Sequence, residues 1–180
     1  ATLLSARVPM PDGSVRETLL GCASPEQYIN QSAYLGASVG RYANRIAKSR
    51  FELDGVQYTL LPSQGENQLH GGPEGFDKRR WKIVRQNDSE VLFSLDSHDG
   101  DQGFPGNLTA FARFTLTDDN RIAIEYRATV DKPCPVNLTN HAYFNLDGNQ
   151  CDVRNHKLQL LADDYLPVDE MGIPRSEEHT

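Results

Sequence analysis

With 180 residues, 38% of them hydrophobic, the chain has apolar material for one domain with a real core or for part of a larger one. A formal net charge of −7 and a pI near 5.2 argue against a phosphate-binding basic face, and so against a nucleic-acid partner, and fit a small neutral ligand better. No apolar run reaches the roughly 20 residues of a membrane span, and three widely spaced cysteines, Cys22, Cys134 and Cys151, suit neither a disulfide framework nor a zinc site, which points to a reducing cytoplasm.

In chain order, Leu3 to Val8 alternates apolar with other residues, and Pro11-Asp12-Gly13-Ser14 turns it into Val15 to Leu20 as a hairpin. Ser24-Pro25-Glu26-Gln27 sets a capping hydroxyl, a proline at the first helical position and a glutamine three residues after the cap, so a short helix is predicted toward Ala33. From Phe51 to Leu60, a type I′ turn at Asp54-Gly55 would pair Leu53 with Val56 and Phe51 with Tyr58, giving a hairpin with one apolar face that needs a second layer. Further strands are predicted at Trp81 to Val84, Val91 to Leu95, Ala110 to Leu116, Ile122 to Ala128 and Leu158 to Ala162, with Asp118-Asp119-Asn120 as a tight turn. The pattern is all-β, read as an antiparallel sandwich. The chain lacks an initiator methionine, opens directly in an apolar pattern and stops in the charged tail Arg175 to Thr180, which reads as part of one sandwich domain, incomplete at both ends.

Glycine-rich and polar loops fall at 36–47, 62–80 and 96–107, where sites tend to be built on a rigid sheet. Gly36 and Gly40 are too loosely spaced for a phosphate loop, and no nucleophile elbow is present. Arg41 and Arg45, four apart beside Asn44, offer planar forks that fit hydroxyls or surface carboxylates. His70 stands against Gly71 and Gly72, where backbone can approach a ligand, or else decorates a turn. Asp96, His98, Asp99 and Asp101 match no calcium loop and read as a solvated turn. From Pro135 to Leu146, polar Asn137, Thr139, Asn140 and Asn145 alternate with apolar residues around His141, as in an extended strand whose polar face holds a polyhydroxylated ligand; a polar edge strand with a solvent-facing histidine is the alternative.

Together, Gly40 to Ile46, Asn67 to Gly72 with Gly75-Phe76-Asp77-Lys78 and Trp81, Asp99-Gly100 with Gly103 to Gly106, and Pro135 to Leu146 resemble the aldose 1-epimerase (galactose mutarotase) family, bacterial type, up to about Pro174. The resemblance implies a galactose mutarotase-like supersandwich, and an isomerase that interconverts the α and β anomers of galactose or glucose by acid/base ring opening. It implies His141 as general acid, His70 as the second catalytic histidine, and Arg45, Asn44 and Tyr143 as substrate-binding residues, with no role assigned to Arg41. It also implies an aldohexose as partner, no metal or other cofactor, and no membrane or nucleic acid, and leaves the oligomeric state open. The family's base glutamate and a sugar-binding aspartate fall outside this sequence, so the fragment itself is expected to be inactive. The competing readings are a noncatalytic carbohydrate-binding sandwich and a hexose-phosphate epimerase in which Arg79-Arg80 or Arg41 grips a phosphate.

Overall fold

A computed structural model describes residues 1–148 and 151–175, so most of the charged tail lies outside the described residues. In chain order it forms β1 (Arg7–Pro9), β2 (Val15–Glu17), α1 (Pro25–Asn30), β3 (Ser38–Val39), β4 (Arg45–Ile46), β5 (Arg50–Leu53), β6 (Val56–Thr59) and β7 (Gln68–Leu69). Then follow β8 (Lys82–Gln86), β9 (Glu90–Ser97), β10 (Leu108–Leu116), β11 (Ile122–Val130) and β12 (Thr139–Asn140). The all-β expectation holds, with α1 the one α-helix among the described residues. The chain divides into two compact units, residues 1–2 with 37–141, and residues 3–36 with 142–175.

In the first unit, β11, β10, β9 and β8 lie side by side as an antiparallel sheet. Their long period-2 patterns dictate this: Leu108, Ala110, Ala112 and Phe114 of β10 are buried on one face, in register with Ser97, Leu95, Phe93 and Val91 of β9. On the opposite face Arg113 reaches Glu90 at 3.7 Å and Glu125 at 3.2 Å, and Lys82 meets Asp96 at 3.1 Å, pairs that keep the surface wetted and contribute little stability. A bulge between Ile83 and Arg85 breaks the register of β8 on β9.

A second layer covers the buried face. The hairpin of β5 and β6 has the expected register, Leu53 with Val56 and Phe51 with Tyr58. Asp54 and Gly55 take positive φ angles of 52° and 75°, as a type I′ turn demands. Phe51 stacks on Tyr58 at 5.2 Å and on the fully buried Phe104 at 6.3 Å, so the apolar side is covered only in part: Leu60 is buried, Phe51, Leu53 and Tyr58 are half-buried, and Val56 beside the turn stays 51% exposed. Tyr126 of β11 reaches across to Ser38 of β3, oxygen to oxygen at 2.8 Å.

In the second unit, β1 and β2 form the expected hairpin, and Ser24 caps α1 by accepting the Gln27 N–H, although the helix stops at Asn30 short of Ala33. Leu19 pairs with Phe144, and Leu20 N–H donates to the Tyr143 carbonyl at 2.9 Å. Two expectations fail. Leu158 to Ala162 forms no strand; Leu158, Leu160 and Leu161 are 84%, 71% and 95% exposed, and an extended segment becomes a strand only when another supplies its ladder. The stretch 135–146 is a strand only at β12, which pairs with β3, and its apolar members Val136 and Phe144 are exposed rather than buried.

Candidate active site

The predicted site residues of the first unit come from two of the glycine-rich loops, 36–47 and 62–80, and from His141 at the end of β12. Strands β4 and β7 pair in the register Arg45 with Leu69 and Ile46 with Gln68, which sets Asn44 opposite His70. There the two residues bond twice: His70 N–H donates to the Asn44 carbonyl, and Asn44 N–H donates to His70 Nδ1, each at 3.0 Å. Both are left-handed, with φ of 67° at Asn44 and 53° at His70, a conformation few side-chain-bearing residues hold without such support. Gly71 is obligatory beside them, since a Cβ there would sit 1.8 Å from the Gly40 carbonyl oxygen.

Because Nδ1 accepts a hydrogen bond, the proton of neutral His70 is on Nε2. Burial, then the charges of His141 and Arg45, lower the His70 pKa to about 4, so the ring is neutral at pH 7. The two imidazoles meet edge to face, with ring centroids 5.2 Å apart. His141 is held from the other side: β12 and β3 pair in the register Thr139 with Val39 and Asn140 with Ser38, and His141 N–H continues the ladder to the Ala37 carbonyl at 2.9 Å. Arg45 is fixed by Nε to Gln64 Oε1 at 2.7 Å and by one Nη to Asn44 Oδ1 at 3.0 Å.

His70, His141, Arg45 and Asn44 are thus brought together, whereas Tyr143 belongs to the second unit, 39% exposed. The amides expected to line a cleft are largely occupied. The Asn137 backbone and amide bond to Arg41 and Ala43, Asn140 bonds to Tyr126, and Asn145 is buried in the second unit with its amide on the Cys151 carbonyl at 2.7 Å.

Arg41 forks onto neither hydroxyls of a ligand nor surface carboxylates. It is 2% exposed, and its guanidinium makes five hydrogen bonds: Nε to Ser97 Oγ, one Nη to the Pro105 carbonyl and Cys134 Sγ, the other to the Ser97 and His98 carbonyls. Ser97 passes a hydrogen bond on to Asp101, which pairs with Arg79 at 2.9 Å. Asp101 is therefore no part of a solvated turn. Burial works against its carboxylate, but the Ser97 and Arg79 hydrogen bonds and the Arg79 charge hold its pKa below the usual value. Arg41 and Arg79 are both spent on protein groups, which leaves the phosphate-gripping reading without them. Cys22, Cys134 and Cys151 are free thiols, and no cluster of metal-binding side chains occurs among the described residues.

The aldose 1-epimerase family model matches residues 1–179. The chain is 76% identical over 174 residues to an aldose 1-epimerase of Escherichia coli K12, covering 97% of this chain and 50% of that protein. To a human galactose mutarotase it is 42% identical over 177 residues, covering 98% and 51%. Among solved structures, a GalM/aldose epimerase homologue from C. elegans superposes with a TM-score of 0.91 at 39% identity, covering 97% of this chain and 53% of that one. A galactose 1-epimerase from Lactobacillus acidophilus gives 0.80 at 32%, covering 98% and 52%. The chain spans about half the length of the curated relatives it matches.

Two outcomes are expected. Arg41→Met, which strips buried carbonyls of their donors, should lower stability by about 3–5 kcal/mol, the scale of breaking a buried charged network, read as a lower urea midpoint. The lowered His70 pKa means that the unfolded chain takes up this proton first, so the contribution of neutral His70 is complete above about 6.5 and is lost as pH falls through about 4. Urea midpoints should fall across that window, and fall less in His70→Gln.

Proposed function

The chain belongs to the aldose 1-epimerase family, and on that premise we propose that it supplies the acid side of a site that opens and recloses the ring of an aldohexose such as galactose or glucose. The supporting observation is the edge-to-face contact of His70 and His141, which joins a ring held neutral to a second imidazole at one spot. In the reaction a base removes the proton of the C1 hydroxyl while an acid donates one to the ring oxygen; the C1–ring oxygen bond breaks, the aldehyde turns, and closure on its other face reverses both transfers.

In this reading protonated His141 is the donor to the ring oxygen and takes the proton back on closure. His70, with its Nδ1 occupied by Asn44 N–H, presents Nε2–H as a neutral donor to the same region of the sugar. Arg45 and Asn44, tied to each other, bind ring hydroxyls in a fixed relative geometry. The base is a glutamate carboxylate from the part of the relatives' length that this chain does not span. Carbohydrate chemistry of this kind is carried by proton transfer between side chains and the sugar's C1 hydroxyl and ring oxygen, and a cytoplasmic sugar pool is the natural source of substrate.

Polarimetry of freshly dissolved α-galactose and α-glucose tests the reading. In the protein that contains this sequence and the base, His141→Asn should lower turnover by roughly 100-fold or more. Arg45→Lys, which keeps charge and loses the fork, should raise the KM. A near-full rate in the first variant removes His141 from the acid role. The 180-residue chain by itself should show little or no activity; catalysis there that depends on His141 would mean that a carboxylate within this chain is the base.

A further inference from the structure

The loop that carries His70 is not held by its own hydrogen bonds alone. The turn Asp101–Gly103, introduced by left-handed Gly100, reaches it from across the unit, and Gln102 at its centre is itself left-handed with φ of 52°. From this position Gln102 binds the chain on both sides of the histidine in sequence. Its backbone carbonyl accepts the Gln68 side-chain N–H at 3.3 Å and the Leu61 N–H at 3.0 Å, ahead of His70 in sequence. Its side-chain carbonyl accepts the Glu74 N–H at 3.1 Å, beyond it.

The fit leaves no slack. A Cβ on Gly72 would lie 2.7 Å from Gln102 Oε1 and 3.1 Å from Gln68 Nε2, so Gln102 closes directly on the glycine turn that follows His70. The neighbouring residue, Asp101, is the one that Ser97 and Arg79 bind, and Ser97 in turn accepts from Arg41, three residues before Asn44. One three-residue turn therefore ties into the His70 loop through Gln102 and into the buried Arg41 network through Asp101.

We propose that Gln102 is a positioning residue for His70: it touches no substrate and fixes the loop so that His70 Nδ1 stays on Asn44 N–H and the ring keeps its Nε2–H tautomer. Its bearing on catalysis rests on the epimerase reading above, whereas its effect on the ring does not. The lowered His70 pKa agrees with a ring kept buried by that closure.

The test is nitrogen-15 NMR of the 180-residue chain, following the His70 ring nitrogens through a pH titration and the exchange of the Glu74 amide. Gln102→Met keeps the length of the side chain and removes its acceptor. Gln102→Asn tolerates the left-handed backbone and withdraws the carbonyl by one methylene. In both, Glu74 amide exchange should rise by about 10-fold or more, and the His70 midpoint should climb by about one pH unit toward the reference value near 6.5, with the Nε2–H tautomer no longer exclusive. Gln102→Glu, which keeps an acceptor, should retain the Glu74 protection and the single tautomer. A His70 titration and tautomer unchanged in the Met and Asn variants overturns the proposal, whether or not the Glu74 amide has loosened. Because no turnover is measured, a chain without epimerase activity leaves the positioning role of Gln102 standing and counts only against the catalytic reading.

Discussion

A buried guanidinium without a carboxylate of its own is the constraint around which the first unit is arranged. Taking Arg41 out of water is tolerable only if every donor is used, and the structure uses them on the end of β9, the loop that follows and Cys134. The opposite charge sits one hydrogen bond away, on Asp101, relayed by Ser97 and shared with Arg79. The main chain at the same point is equally engaged: the Gly40 carbonyl takes the Phe76 N–H at 3.1 Å, and the Arg41 carbonyl takes the Asn137 N–H at 2.9 Å. Loops from four parts of the sequence are thereby locked to one another, and such mutually dependent polar contacts rigidify a site in a way that interchangeable apolar contacts do not.

On that frame the two histidines are given unlike surroundings. His70 is enclosed, accepts a backbone N–H and feels positive charge from two neighbours, so protonation is disfavoured. The rings are close enough that a proton on one is felt by the other.

Much of this was legible in the chain itself, for identifiable reasons. The β5–β6 hairpin follows from Asp54-Gly55 between alternating residues, because that dipeptide readily takes the positive φ angles that so short a turn demands. The sheet follows from the nine-residue alternation in β10 and β11, and the family from motifs that succeed one another in a fixed order along the chain. Leu158 to Ala162 misled because an apolar run specifies burial only where a neighbour exists to provide it. Arg41 misled because an arginine among glycines looks solvated until its acceptors, more than fifty residues later in sequence, are known. Gln64, Gln102 and Ser97 carried no local signal at all, since their importance lies in which distant donor or acceptor each one meets.

The paired hydrogen bonds between Asn44 and His70 also bear on how a ligand would be met. An imidazole on a flexible loop must surrender rotational freedom at the moment of contact, and that loss is subtracted from affinity. Here the ring's orientation is settled while the chain folds, by the Asn44 N–H on Nδ1 and a left-handed backbone that the return bond from His70 N–H to the Asn44 carbonyl supports. A ligand that met this ring would find it already oriented, so little rotational freedom would be left to lose on contact.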